Sequence, residues 1–150
     1  MQMAEDFDAL SRRLRGLRLN VLIDTNALLW YALEPARLSK RAAGVIREQG
    51  NSYSHVSLWE MAIKSSLGKL TLTKQQGQPG DARQFLLNLV RNLRLYSRPI
   101  EFDDVAGVEQ LPFHHYDPFD RLLVVQAQRR NLPIVSADRV FEQYGVKRVW

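Results

Sequence analysis

The sequence contains no cysteine among its 150 residues. This absence excludes disulfides, zinc sites built from thiolates and catalysis by a thiol nucleophile. The sequence also lacks any apolar run near the roughly 20 residues that a membrane span requires, and its N-terminal region carries acids and arginines without a hydrophobic signal core. We therefore expect a cytoplasmic protein that does not enter a membrane.

What the sequence does contain is typical of a globular domain. Hydrophobic residues make up 45% and charged residues 25%, which excludes a disordered, collagen-like or coiled-coil chain. The length suits one domain, which we place at residues 19–150. Residues 1–18 are expected to form an N-terminal extension. It is either a short amphipathic helix carrying Phe7, Leu10, Leu14 and Leu17, or a frayed segment or misassigned start ahead of the domain.

The net charge of the chain is +5, from 21 basic and 16 acidic side chains. If several acids gather in one pocket, the remaining surface is more basic than this total indicates. A basic surface around an acidic pocket suits a polyanion bound through its phosphates. The alternative is a basic surface that serves solubility or an acidic protein partner.

Strands and helices are predicted to alternate along the chain. The nearly unbroken apolar run at residues 19–23 is typical of a strand that is buried on both faces. Further strands are predicted at residues 52–56, 95–100, 132–136 and 146–150, and helices at residues 27–33, 39–49, 57–67, 81–93, 103–110, 117–130 and 140–144. This order favours an α/β fold of three layers, α/β/α, with a central, mainly parallel sheet and a site at the C-terminal ends of the strands.

Four acids stand at strand ends or helix starts. Asp24 and Asp138 each follow a predicted buried strand, and parallel strands bring both to the same edge of the sheet. Glu60 and Asp120 lie within the first turn of predicted helices. Because hard divalent cations prefer oxygen ligands, these acids together predict a shared metal site.

Each acid also has a structural interpretation. Asp24 and Asp117 are both placed to cap the helices that follow them, so Asp120 is the preferred ligand and Asp117 a secondary acid. Glu60 fits a capping box with Ser57, or an ion pair with Lys64 one turn later.

Other polar residues are expected to face the solvent. His114 and His115 form a loop pair, for which exposure is more common than ligation. Asp103, Asp104 and Glu109 lie in a polar surface pattern.

Four motifs in sequence order carry a resemblance to a known family. They are VLIDTNALLW at residues 21–30, SLWEMAIK at 57–64 followed by LGKL at 67–70, DPFDRLL at 117–123 followed by QA at 126–127, and VSAD at 135–138 followed by Phe141. Over residues 19–150 the chain resembles the PIN-domain ribonucleases, specifically the VapC-type toxins of bacterial toxin–antitoxin modules. Residues 1–18 and 73–80 fall outside this resemblance.

The resemblance implies a four-acid catalytic and metal site. Asp24, Glu60, Asp120 and Asp138 would hold one or two Mg²⁺ or Mn²⁺ ions, with Thr25, Asn26 and Ser136 as polar neighbours. Asn26 stands where the subgroup often has histidine, and Ser136 where it often has threonine. The resemblance further implies RNA as substrate, a cognate antitoxin protein and a second copy of the chain as partners.

Four basic side chains flank the acid motifs and are candidate contacts to RNA phosphates: Lys64, Lys69, Arg121 and Arg139. The alternative for each is a solvated surface charge.

Two rival functions remain. A phosphatase resembling the haloacid dehalogenases would use Asp24 as nucleophile, but it requires an aspartate two residues later, where this chain has Asn26. A catalytically silent PIN-like module that binds RNA or protein is the second rival, and it predicts no metal-dependent thermal shift.

Overall fold

A computed structural model describes residues 20–48, 50–70 and 82–150. The predicted N-terminal extension, the loop at residues 73–80 and the predicted helix cap Asp81 lie outside these ranges.

The described residues form a five-stranded sheet in which every pair of neighbours is parallel. Its strands are β1 (Leu22–Ile23), β2 (Ser52–Ser54), β3 (Tyr96–Arg98), β4 (Ile134–Val135) and β5 (Arg148–Val149). The spatial order is β3-β2-β1-β4-β5, which confirms the predicted parallel α/β fold. Because the chain leaves β1 first towards β2 and later returns to β4 on its other side, the strand order reverses beside β1.

Seven α-helices lie in the described ranges: α1 (Thr25–Leu33), α2 (Lys40–Arg47), α3 (His55–Ser66), α4 (Ala82–Asn92), α5 (Phe102–Gly107), α6 (Pro118–Arg130) and α7 (Val140–Gln143). Short 3₁₀ turns occupy Pro35–Arg37 and Val108–Gln110. Within the described ranges, no helix is both long and apolar enough to cross a membrane. The predicted caps Ser39 and Asp117 are confirmed, since their side chains accept hydrogen bonds from backbone N–H groups of the helices that follow them.

The start of α3 differs from the prediction. Ser54, not Ser57, is the N-cap, and its Oγ accepts a hydrogen bond from the N–H of Val56 at 3.0 Å. Ser57 lies buried in the first turn, where its Oγ is 3.0 Å from Oγ1 of Thr25. The predicted capping box between Ser57 and Glu60 is therefore wrong, and the Glu60 carboxylate is free for other contacts.

The core has two halves, one on each face of the sheet. Val21 and Ile23 point into the half that contains Leu28 of α1, whereas Leu22 points into the half that contains Leu123 of α6. Successive side chains of a strand alternate between faces, so a strand covered on both sides is apolar throughout. This explains the unbroken apolar run at β1 and confirms the three-layer arrangement.

An ion-pair network joins α5 to α6. Asp104 is fully buried, and its carboxylate accepts hydrogen bonds from Arg129, Arg130 and the Gln126 amide. Burial by itself raises the pKa of Asp104, but hydrogen bonds from Arg130, from the backbone N–H of Glu101 and from Arg129 and Gln126 outweigh it, so that the pKa falls to about 2. The prediction that Asp104 is solvated is thus wrong.

The neighbouring acids agree with the prediction. Glu109 is exposed, and the Asp103 side chain is 71% exposed although it lies 3.5 Å from Arg129. Asp104 therefore differs from Asp103 in burial while sharing one of its partners.

We predict that Asp104→Asn lowers the free energy of unfolding by about 3 kcal/mol, because Arg129 and Arg130 lose the charge of the buried carboxylate that accepts their hydrogen bonds. A depressed acid pKa contributes stability that is present above the unfolded value near 4 and is lost as the pH falls towards 2. Urea unfolding at pH 7 and pH 3 measures both effects. Asp103→Asn is the matched control and should change stability by less than about 0.5 kcal/mol; equal effects of the two substitutions would contradict the role given to Asp104.

Candidate metal centre

Asp24 directly follows β1 and is only 5% exposed. Its Oδ1 accepts a hydrogen bond from the N–H of Ala27 at 2.7 Å and caps α1. Burial raises the pKa of Asp24 to about 6 against the hydrogen bonds from Ser136 and Ala27, and the charges of Glu60 and Asp138 raise it further. The capping interpretation therefore holds, and the same carboxylate also lies close to other acids.

Glu60 projects from α3 and is 3% exposed. Its Oε2 lies 3.4 Å from Nζ of Lys64, which is the ion pair one turn apart that the sequence allows. Burial raises the pKa of Glu60, the charge of Lys64 lowers it, and the charge of Asp117 raises it. A buried carboxylate beside another acid is costly unless a cation meets it.

The start of α6 supplies two more acids. Carboxylate oxygens of Glu60, Asp117 and Asp120 lie within 4.8 Å of one another. Burial raises the pKa of Asp120 to about 8, with further contributions from the charges of Asp117, Asp24, Glu60 and Asp138. Asp117 was expected mainly as a cap; the structure shows both the cap and its place among the acids.

Asp138 follows β4 and completes the group. Its Oδ1 accepts a hydrogen bond from the N–H of Val140 at 2.9 Å, and its own N–H donates to Ser136 Oγ at 3.0 Å. The side chain is exposed, yet its charge raises the pKa of both Asp24 and Asp120. We call Asp24, Glu60, Asp117, Asp120 and Asp138 the acidic cluster.

The three polar neighbours differ in their surroundings. Thr25 is buried against Ser57 and also hydrogen bonds to Glu60, and Ser136 is buried and hydrogen bonds to Asp24. Asn26 is exposed. Thr25 and Ser136 therefore fix the orientation of two carboxylates, while Asn26 is accessible from solvent.

Arg121 is buried, although the sequence predicted a contact between this side chain and RNA phosphates. Its side chain is buried, with 4% of the residue exposed, and Nη1 donates to the carbonyl oxygen of Pro112 at 2.8 Å and to Tyr144 Oη at 3.2 Å. A guanidinium enclosed in this way cannot meet a phosphate from solvent, so the predicted RNA contact is wrong. Lys69 and Arg139 are exposed, and the Lys64 side chain is 39% exposed beside Glu60.

His115 was also predicted wrongly. His114 is exposed as expected, but the His115 side chain is only 20% exposed, and its Nε2 lies 3.4 Å from Oδ2 of Asp120. Its Nδ1 is 2.7 Å from Oη of Tyr144. The only signal in the sequence was the position of His115 two residues before Asp117, since Tyr144 lies far along the chain.

The donor set suits a hard divalent cation. Carboxylate oxygens are the ligands that Mg²⁺ and Mn²⁺ prefer. Glu60, Asp117 and Asp120 offer them within 4.8 Å of one another, whereas Asp24 and Asp138 lie outside this group of three and act on Asp120 through their charges. Burial and the charges of neighbouring acids raise the pKa of Asp24, Glu60 and Asp120, so that their ionised forms are disfavoured in the protein alone. A bound cation would supply the missing positive charge.

The sequence profile of the PIN domain family matches residues 21–147. This match covers most of the chain and all five residues of the acidic cluster. The chain belongs to the PIN domain family. No curated protein sequence matches the chain.

Several solved structures share this fold. DNA-bound VapBC from Salmonella typhimurium has a TM-score of 0.59 at 17% identity, with 87% of this chain and 96% of that chain covered. VapBC2 from Rickettsia felis, bound to a DNA fragment from its promoter, has a TM-score of 0.58 at 13% identity, with 85% and 96% covered. VapBC-5 from Mycobacterium tuberculosis, described as a member of the VapBC family of toxin–antitoxin systems, has a TM-score of 0.55 at 16% identity, with 87% and 97% covered.

We predict that the metal-free protein loses stability as the pH rises from about 4 to 8. A raised acid pKa means that the folded state holds the proton more tightly than the unfolded state, so the contribution is complete below the unfolded value near 4 and is lost as the pH passes 6 at Asp24 and 8 at Asp120. Half of the rise in the pKa of Asp120 corresponds to about 3 kcal/mol in the free energy of unfolding. In chelator at pH 8.5, Asp120→Asn should therefore raise the melting temperature by about 6 °C or more.

Thermal melts at pH 6 and pH 8.5 measure this effect. Glu109→Gln removes one exposed carboxylate outside the acidic cluster and serves as the matched control. If Asp120→Asn and Glu109→Gln shift the melting temperature equally at pH 8.5, the acids do not destabilise the metal-free protein in the way described.

Proposed function

We propose that the chain is a divalent-metal-dependent endoribonuclease that acts as the toxin of a toxin–antitoxin pair. The observation that carries the proposal is the acidic cluster, in which carboxylates from distant parts of the chain approach one another at one edge of the sheet and three of them, Asp24, Glu60 and Asp120, have a raised pKa. Perturbed acids that share a site are a mark of functional centres. Membership of the PIN domain family, which comprises nucleases, supports the same reaction class.

The catalytic and metal-holding residues would be Asp24, Glu60, Asp120 and Asp138, with one or two Mg²⁺ or Mn²⁺ ions. When bound, such an ion supplies Lewis acidity and lowers the pKa of a coordinated water. Asp117 is the secondary acid, since its oxygens approach Glu60 and Asp120.

The remaining roles follow from the contacts of each side chain. The carboxylate of Asp24 accepts hydrogen bonds from the N–H of Ala27 and from Ser136, which orient it at the end of β1. Glu60 is held between Thr25 and Lys64 and is suited to orient a water molecule for in-line attack on a phosphodiester.

Phosphate binding would fall to the exposed cations near the acids. Lys69 and Arg139 are exposed, and Lys64 is partly exposed beside the cluster. Such contacts position a nucleic acid without reading its sequence. The net charge of +5 supports a polyanionic substrate.

The proposal includes an antitoxin protein that covers the acidic groove, a second copy of the chain as homodimer partner, and the cytoplasm as the place of action. The structures with a similar fold include VapBC complexes and a toxin–antitoxin complex from Klebsiella pneumoniae, which supports an antitoxin partner. The absence of cysteine suits a reducing compartment.

We predict that the wild type cleaves RNA with Mg²⁺ or Mn²⁺, and that Asp24→Asn, Asp120→Asn or EDTA each lowers the rate at least about 100-fold, because positioned charge at such a centre supplies several kcal/mol. Gel-resolved cleavage of single-stranded and hairpin RNA provides the rates. Glu109→Gln should cleave like the wild type. Equal cleavage by the wild type, by Asp24→Asn and in EDTA would exclude the mechanism.

The catalytically silent binding module remains the alternative, and a thermal-shift measurement on the wild type and on Asp120→Asn tests it. A metal-dependent nuclease should show a rise in melting temperature with Mn²⁺ that Asp120→Asn reduces, because the ion binds only the folded state. RNA binding without cleavage and without this thermal shift would instead support the binding module.

The toxin role is tested by expression in a bacterial host. We expect induction of the wild type to arrest growth within one or two generations, and induction of Asp120→Asn at equal protein level to leave growth unchanged. If cells grow normally while they contain active, soluble wild-type nuclease, the toxin role is contradicted but the nuclease activity is not.

A further inference from the structure

One buried nitrogen beside the acidic cluster has no hydrogen-bond partner. His115 Nε2 is one of two buried side-chain polar atoms in the described part of the chain that lack one. It points towards Asp120, with 3.4 Å between Nε2 and Oδ2. Buried polar atoms nearly always have a hydrogen-bond partner, so a buried nitrogen without one beside the acidic cluster requires an explanation.

The other ring nitrogen of His115 is firmly held. Nδ1 lies 2.7 Å from the hydroxyl of Tyr144, a residue with 7% exposure at the end of α7. The same hydroxyl oxygen accepts a hydrogen bond from Arg121 Nη1 at 3.2 Å. An arginine can only donate, so the oxygen of Tyr144 serves as acceptor towards Arg121 and its proton remains available for His115.

This arrangement of donors favours one imidazole tautomer, with the Asp120 carboxylate as a second acceptor on the side of Nε2. If the Tyr144 hydroxyl donates to Nδ1, then Nδ1 is the acceptor nitrogen, and the neutral ring carries its proton on Nε2. That N–H faces the Asp120 carboxylate. Hydrogen bonds at such sites are often long before the ligand is bound and shorten in the complex.

Arg121 anchors the arrangement from the opposite end. It follows Asp120 on α6, and it also donates to the carbonyl oxygens of Leu111 and Pro112 in the loop that leads to His115. Its guanidinium lies 4.1 Å from the ring centroid of Phe113. One buried cation therefore holds both the loop that carries His115 and the hydroxyl that orients it.

We infer that His115 is a positioning residue for the metal centre: Arg121 and Tyr144 hold its ring so that Nε2–H donates to Asp120 and orients that carboxylate towards a divalent cation. We call these residues the Arg121–Tyr144–His115 relay. The inference rests on the proposed function in that Asp120 is taken as a metal ligand. Partners of this kind, which orient the groups that contact a metal, change metal affinity by roughly 10–100-fold when removed.

The tautomer is tested without metal or activity. Proton–nitrogen correlation spectra of the protein with ¹⁵N-labelled imidazoles, recorded in chelator at pH 8.5, report which ring nitrogen carries the proton. We expect Nε2–H at His115 in the wild type and a mixture of tautomers in Tyr144→Phe, which keeps the ring and removes the hydroxyl. A wild-type ring protonated on Nδ1 or on both nitrogens, or a tautomer that Tyr144→Phe leaves unchanged, would overturn the relay.

Mn²⁺ binding measured by calorimetry tests the consequence. His115→Ala should weaken binding about 10-fold or more. His115→Gln places an amide N–H close to the position of Nε2 and should stay within about 3-fold of the wild type, whereas His115→Asn places its amide near Nδ1 and should behave like His115→Ala. Because the two amides are similar in polarity, their comparison remains informative even where the alanine variant folds poorly.

Two further variants separate positioning from packing. His114→Ala is the matched control, since the His114 ring also packs edge-on against Tyr144, at 4.7 Å between centroids; it should bind Mn²⁺ like the wild type. Tyr144→Phe should weaken binding in the wild-type background and add nothing in His115→Ala. Independent effects of Tyr144→Phe and His115→Ala would show that the two residues do not act through one another.

The two hypotheses fail in different ways. If the wild type neither binds Mn²⁺ nor cleaves RNA, the proposed function is wrong, whatever the tautomer of His115. If the wild type does both, and His115→Ala, His115→Gln and His115→Asn all match it, the metal centre stands and the positioning role of His115 is refuted.

Discussion

The mutual repulsion of carboxylates at one edge of the sheet is the constraint around which this molecule is organised. Asp24 and Asp120 both have a pKa well above that of a free aspartate, and each is raised first by burial and then by the charge of the other acids. Uncompensated charge of this kind opposes folding. The fold tolerates it because the surrounding contacts hold the acids in place and because a divalent cation can neutralise them.

The strand order explains why acids so far apart in sequence meet. Asp24 and Asp138 follow β1 and β4, which are adjacent and parallel, so both residues emerge at the same edge. The chain reverses its direction of winding beside β1, and in open α/β sheets the crevice at such a reversal is the usual binding site. The helices α3 and α6 then add Glu60, Asp117 and Asp120 from the same side.

The sequence predicted best where the signals are local. The start of α6 follows from Asp117 and Pro118, because a capping acid and a proline at the first helical position act within one turn. The start of α3 was misplaced because Ser54 and Ser57 are both plausible caps. The environment of Asp104 could not be predicted, since the arginines that bury its charge are 25 and 26 residues away. Similarly, nothing near Arg121 and His115 indicates that Tyr144 holds both.

Four of the five carboxylates of the acidic cluster have their own contacts within the protein. Asp24, Asp117 and Asp138 each accept a hydrogen bond from a backbone N–H just downstream, and Glu60 is fixed by Lys64. Freezing a flexible side chain on association costs about 0.5–1.5 kcal/mol, a loss of rotamer entropy that is here incurred during folding. An arriving ion therefore meets carboxylates that are largely oriented in advance, which favours tighter binding and selection among cations by size.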